Sequence, residues 1–150
     1  MKVVIQRVKS ASVSVSGLPT GSVKTGLLVL LGVGHEDGIE DVEWLVNKIV
    51  QLRIFPDEKG LMNLSIKDVK GEVLLVSQFT LYASVKKGTR PSFVKSAKPA
   101  VAKELYLKFH EAVEKALQKE VPTGVFGADM DVNLVNWGPV TITMDSKNKE

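Results

Sequence analysis

Gly26-Leu27-Leu28-Val29-Leu30-Leu31-Gly32-Val33-Gly34 is the most apolar stretch of the chain, and the rest of the fold is read outward from it. A strand with one solvated face alternates apolar and polar residues. This run does not alternate, so it reads as a strand buried on both faces. It is about half the length needed to span a bilayer, which makes it the interior of a globular domain.

Towards the amino terminus the period is two. Val3 and Ile5, then Ala11, Val13 and Val15 alternating with Ser12, Ser14 and Ser16, predict an opening hairpin with one solvated face. Gly17-Leu18-Pro19-Thr20-Gly21 is turn chemistry, and Val23 starts a further short strand. Beyond the central run the period changes to that of a helix. Val42, Leu45, Val46, Ile49 and Leu52 place an amphipathic helix over Ile39 to Leu52, before a break at Pro56 to Gly60. Glu72 to Gln78 is a second buried strand, and it delivers Ser77 and Gln78 to its carboxyl end.

Lys86 to Pro99 is irregular, and Pro99 suits the first turn of a second helix carrying Leu105, Phe109, Ala112, Val113, Ala116 and Leu117 as its apolar stripe. Val121 to Gly127 is irregular again. Met130, Val132 and Leu134 then form a strand to about Val135, and Val140, Ile142 and Met144 form another. Proline within a strand is confined to starts, edges and bulges, so Gly138-Pro139 is expected to be the turn between them. The last residues, 146–150, read as a polar tail that frays. The expectation is one α/β domain over residues 1–150, with mixed, mostly antiparallel sheets and two main helices packed on one side.

Composition removes whole classes of chemistry. The chain has 150 residues and no cysteine, which excludes disulfides, thiolate nucleophiles and cysteine-held metals. Its two histidines, His35 and His110, cannot make a histidine cluster, so no metal and no cofactor is expected. Neither a G-x-S-x-G elbow nor a phosphate-binding glycine loop occurs. Net charge is +3, unevenly spread. Val73 to Lys103 holds no acidic residue but carries Lys86, Lys87, Arg90, Lys95, Lys98 and Lys103. Such a segment suits phosphates if its side chains share a face, and is otherwise a solvated basic loop. With no signal peptide or spanning segment, the reading is cytoplasmic and without a membrane partner.

Two segments depart from plain folding patterns. Ser77-Gln78-Phe79-Thr80-Leu81 interrupts an apolar strand with hydroxyl and amide groups, which can surround a carbonyl or cap a sheet edge. Asn136-Trp137-Gly138-Pro139-Val140-Thr141 contains the Gly-Pro step. Together these match the S-Q-x-T-L and N-x-G-P-x-T motifs of the D-aminoacyl-tRNA deacylases, also called D-tyrosyl-tRNA deacylases, which the chain resembles. The likeness extends to Gln6-Arg7-Val8, Leu52-Arg53-Ile54-Phe55, Gly88 to Phe93 and Thr123 to Met130.

That resemblance implies hydrolysis of the ester of D-aminoacyl-tRNA, and of glycine mischarged on tRNA-Ala. It implies a homodimer with active sites at the interface that accept the aminoacyl-tRNA 3′ end. Ser77, Gln78, Phe79 and Thr80 would be catalytic, and a cis Gly138-Pro139 step from one subunit would exclude L-amino acids in the other. Phe126, Gly127, Met130 and Asn136 would hold the substrate and its terminal adenosine, with Arg7 in support. A non-catalytic RNA-binding module and a hydrolase of another small ester are the alternatives.

Overall fold

A computed structural model describes residues 1–149. The central run is strand β3 (Gly26–Gly32), as its composition requires. It lies between β1 (Lys2–Val15), antiparallel to it, and β6 (Glu72–Ser77), parallel to it. Strand β2 (Leu18–Val23) pairs with the later half of β1. Strand β7 (Asp131–Asp145) runs antiparallel along the opposite edge of β1 for nearly its whole length. Two very short strands, β4 (Phe55–Pro56) and β5 (Met62–Leu64), make a separate small sheet.

Alternate residues of the central strands serve two cores, which is why the run has no polar face. Leu27, Val29, Leu31, Val73 and Leu75 face helices α1 (Ile39–Gln51) and α2 (Pro99–Leu117), whose Leu45, Ile49, Phe109 and Val113 are fully buried. Leu28, Leu74 and Val76 turn the other way and join Val8, Ala11, Val13 and Val23 of the β1–β2 hairpin. Both helices therefore cover one side of the sheet and the curled hairpin closes the other. Gly26 sits where β3 meets β6 so closely that a Cβ there would come within 1.8 Å of the Glu72 carbonyl oxygen. Only glycine fits that parallel contact.

Three expectations are corrected. The opening period-two pattern is not a hairpin in itself: residues 2–15 form one strand, and the hairpin is made with β2. Gly138-Pro139 is not a turn between two strands, because β7 continues through it. Asn136 pairs with Val8 and Thr141 with Gln6, so residues 137–140 form a bulge opposite Arg7 alone, with Gly138 and Pro139 exposed and Val140 turned into the core. The bulge tolerates a proline because its residues leave the ladder.

The tail is also tied down where fraying was expected. Ser146 is buried; its N–H donates to the Met1 carbonyl at 2.9 Å and its Oγ accepts from the Met1 ammonium at 2.6 Å. Lys147 Nζ reaches Asp41 at 2.8 Å. Glu150 lies outside the described residues. No helix of the described chain is long and apolar enough to cross a membrane.

Candidate active site

Strands β3 and β6 are parallel, and the open end of a parallel pair is where chain leaves the sheet and a crevice forms. A cavity of about 680 Å³ occupies that position. Its floor is Leu31, Val33 and Val76 to Phe79, at the carboxyl ends of the two strands. Pro99, Ala102 and Tyr106 on the first turns of α2 form one wall, and Phe126 to Met130 form another. Phe93, Ser96 and Lys98 from the basic segment complete the rim.

The sheet ends abruptly here for a local reason. Gln78 N–H donates to the Leu31 carbonyl at 2.7 Å, the last ladder bond, and the chain then coils into a 3-10 turn over Phe79–Tyr82. The first hydrogen bond of that turn is from Leu81 N–H to the Gln78 carbonyl at 3.3 Å. The N–H groups of Phe79 and Thr80 precede it and have no acceptor within the turn, as at any helix start. Of these two adjacent main-chain donors, that of Phe79 belongs to a residue that lines the cavity, and that of Thr80 follows it in the turn.

The Gln78 side chain curls over the same turn, its Nε2 donating to Thr80 Oγ1. Thr80 oxygen is therefore an acceptor for an amide, and among the described residues no histidine or carboxylate is bonded to it. Phe79 is 57% exposed and meets Phe93 edge-on, with ring centroids 5.1 Å apart. On the opposite wall Phe126 tilts against Tyr106 at 5.6 Å. The Tyr106 hydroxyl donates to the Leu75 carbonyl at 3.1 Å, and burial pushes its pKa up to about 12, so it stays a neutral hydrogen-bond donor.

Ser77, Gln78 and Phe79 are thus brought together with Phe126, Gly127 and Met130, residues nearly fifty positions later in the chain. Thr80 is the next residue of the turn. Arg7, Asn136, Gly138 and Pro139 do not line this cavity; they sit on β1 and β7. There the Arg7 Nε–H donates to the Trp137 carbonyl at 2.8 Å, its Nη1 donates to the Ile54 carbonyl, and its guanidinium lies 4.8 Å over the Trp137 ring. Burial holds the Arg7 pKa below its ordinary value. The Gly138–Pro139 bond is cis, and both residues are exposed at the crest of the bulge. Asn136 packs against Gly138 so tightly that a Cβ at 138 would meet its Nδ2 at 2.4 Å.

His35 and His110 lie away from the cavity. His35 Nε2 contacts the Val94 carbonyl, and His110 Nε2 the Val121 carbonyl at 2.7 Å. Among the cavity residues not expected as site residues are Phe93, which lies in the family-like stretch from Gly88, and Ala102 and Tyr106. Extending the helical spacing of the apolar stripe back from Phe109 by one turn reaches Tyr106 and by two turns Ala102, and would have found the last two.

The basic segment is more ordered than its composition implied. Ser84 and Ser92 exchange main-chain hydrogen bonds at 2.8 and 2.9 Å, closing a loop whose tip carries Lys86, Lys87 and Arg90, all exposed. Its later part is pinned just beyond the end of β3, with Ala97 N–H donating to the Val33 carbonyl at 2.9 Å.

Comparison with known proteins fits this geometry. Residues 4–145 match the family model described as D-Tyr-tRNA(Tyr) deacylase. The chain belongs to that family. A D-aminoacyl-tRNA deacylase of Flavobacterium johnsoniae is 55% identical over 150 residues, covering all of both chains. One of Fusobacterium nucleatum is 58% identical over 148 residues, 99% of this chain and 97% of the other. A solved structure titled c-Myc DNA Unwinding Element Binding Protein superposes with a TM-score of 0.90 at 40% identity, covering 97% of this chain and 98% of that one. The same fold, a single α/β domain with two helices on a curled mixed sheet, is shared at a TM-score of 0.80 and 17% identity with a solved structure titled a probable eukaryotic D-amino acid tRNA deacylase, covering 95% of this chain and 97% of that one.

Proposed function

We propose that this protein hydrolyses the ester of D-aminoacyl-tRNA, releasing the free D-amino acid and tRNA. The observation that carries the reading is the turn at the end of β6, whose Phe79 and Thr80 N–H groups have no acceptor within the turn, with Phe79 lining a cavity walled by aromatic side chains. Attack of water on an ester carbonyl puts negative charge on its oxygen, and preorganised main-chain donors stabilise that charge at no reorganisation cost. An aminoacyl ester is already reactive, so orientation supplies much of what remains. The neighbouring ribose hydroxyl helps activate the water, which suits a site with no histidine on Thr80. Phe126, Gly127 and Met130 receive the terminal adenosine, and Lys98 with the basic loop meets its phosphates.

Gly138 and Pro139 act, in this reading, as the chiral filter of a second copy of the chain. They are exposed and outside their own cavity, and Arg7 holds the bulge that presents them. A homodimer in which each bulge enters the partner's cavity would exclude an L side chain by blocking it and not by gripping the D one. Glycine has no side chain to exclude, so glycyl-tRNA mischarged on tRNA-Ala would be cleared as well. The cytoplasm, where tRNA is charged, is the place of action.

The deciding experiment is deacylation of matched D- and L-tyrosyl-tRNA. Release from the D form alone supports the proposal, and equal release from both refutes the filter. Binding of RNA without release would leave a non-catalytic module, while cleavage of simple esters alone would leave a small-ester hydrolase. Thr80→Ala is expected to keep most of the turnover; a loss of more than about a thousandfold would point to a nucleophilic threonine instead.

A further inference from the structure

The far end of α2 holds a second hollow, of about 440 Å³, that the reaction does not use. Lys67 and Lys70 line it from the loop before β6, and Lys115 and Lys119 from the helix end; among the described residues no carboxylate lines it. Glu120 follows Lys119 in the chain but does not line the hollow, and three other nearby carboxylates are engaged elsewhere. Asp68 accepts from the Ser65 N–H and hydroxyl at 2.8 and 2.7 Å, Glu72 from the Lys24 N–H at 2.7 Å, and Glu114 from the Val121 N–H at 3.1 Å. Lys119 is built into the wall: its Nζ donates to the Lys70 carbonyl at 2.6 Å and reaches the Gly71 carbonyl at 3.4 Å. The helix dipole accounts for cations in the last turn of α2, but Lys67 and Lys70 come from a different segment. Four lysines around one hollow, with no carboxylate among its described lining residues, create a positive potential that draws in a polyanion.

We propose that this hollow is a second contact for the phosphate backbone of the RNA whose 3′ end enters the cavity at the other end of α2. The proposal rests on the function argued above. Ala102 in the cavity wall and Leu117 beside the hollow are fifteen residues apart on α2, about 22 Å at 1.5 Å per residue. A terminal trinucleotide cannot bridge that distance, whereas a double-helical arm can. Phosphate contacts of this kind set orientation and affinity without reading bases. The hollow would thus let the enzyme hold an aminoacyl-tRNA in preference to a free aminoacyl nucleotide.

The test compares wild type with the Lys67→Gln/Lys70→Gln/Lys115→Gln variant, leaving Lys119 to tie the loop to the helix. Full-length deacylated tRNA is titrated by fluorescence anisotropy between low and physiological salt. Each lost phosphate contact should reduce the slope of log affinity against log salt by about 0.7–0.9, so a decrease of about 2 and a low-salt affinity at least tenfold weaker are expected. The KM for D-aminoacyl-tRNA should rise in parallel while kcat holds, and the KM for a D-aminoacyl trinucleotide should stay that of wild type. Equal slopes and affinities would overturn the proposal, as expected if the hollow receives an acidic protein segment instead. So would an equal loss on the trinucleotide, which would place the effect in the fold or the cavity. If wild type fails to hydrolyse D-aminoacyl-tRNA but the variant still loses tRNA affinity, the reaction assigned above falls and this contact stands.

Discussion

Replacing Arg7 by lysine tests how the Gly138-Pro139 bulge is held. Arg7 is 7% exposed and spends its fork on two carbonyls, those of Trp137 and Ile54, with its plane against the Trp137 ring. Lysine keeps the charge but can reach only one carbonyl well and cannot stack flat. The other carbonyl then loses a charge-assisted hydrogen bond worth about 1.5–3 kcal/mol, and the ring contact contributes about 1 kcal/mol more. Arg7 already bears a desolvation penalty that lysine would share, so it does not offset the loss. The net destabilisation is about 2–4 kcal/mol, or roughly 5–15 °C in Tm for a domain of this size. Because Trp137 precedes Gly138, the freed bulge should also blur substrate choice. In the D- and L-tyrosyl-tRNA assay the ratio of kcat/KM values is expected to fall at least tenfold, mainly through new L activity. An Arg7→Lys variant with unchanged melting and an unchanged D-to-L ratio would refute the claim that Arg7 supports the filter.

Gly26→Ala should cost more than about 3 kcal/mol or prevent folding, because its Cβ would meet main-chain atoms of Glu72 that cannot yield; urea denaturation measures it. Phe126→Ala should raise the KM for D-aminoacyl-tRNA by roughly ten- to a hundredfold, the cost of one lost base stack, with little change in kcat. Asp41 gives a pH dependence. Burial pushes its pKa up, but bonds from Lys147, Ser146 and the Gly38 N–H outweigh this and hold it at about 2. A carboxyl depressed from an unfolded value near 3.9 stabilises the fold fully above pH about 5 and loses that contribution as pH falls towards 2. The wild type should therefore lose on the order of 2 kcal/mol between pH 5 and 2 that an Asp41→Asn variant does not lose, read as the difference in denaturation midpoints.

Much of the fold was legible in the chain because it follows from local periodicity. The unbroken apolar run from Gly26 identified a doubly covered strand, Val42 to Leu52 a helix, and Pro99 the start of another, and each lies where its spacing put it. The end of β6 at Ser77 was legible for the same reason: an apolar strand that turns polar has reached its boundary. The family motifs could be read too, since they are contiguous. What periodicity could not convey is how distant segments meet. That Phe126 to Met130 face Ser77 to Phe79 across one cavity depends on the parallel β3–β6 pair and on where α2 crosses it, and neither is encoded in any single stretch. Gly138-Pro139 looked like a turn because proline ordinarily ends a strand. Only the register of β7 on β1, with Arg7 buried beneath the extra residues, makes it an outward bulge in a strand that continues. Local chemistry thus determined the elements and the central strand on which they assemble. Tertiary packing decided which of them meet, bringing residues 126–130 across the cavity from the strand end at Ser77 and lifting Gly138-Pro139 to the surface.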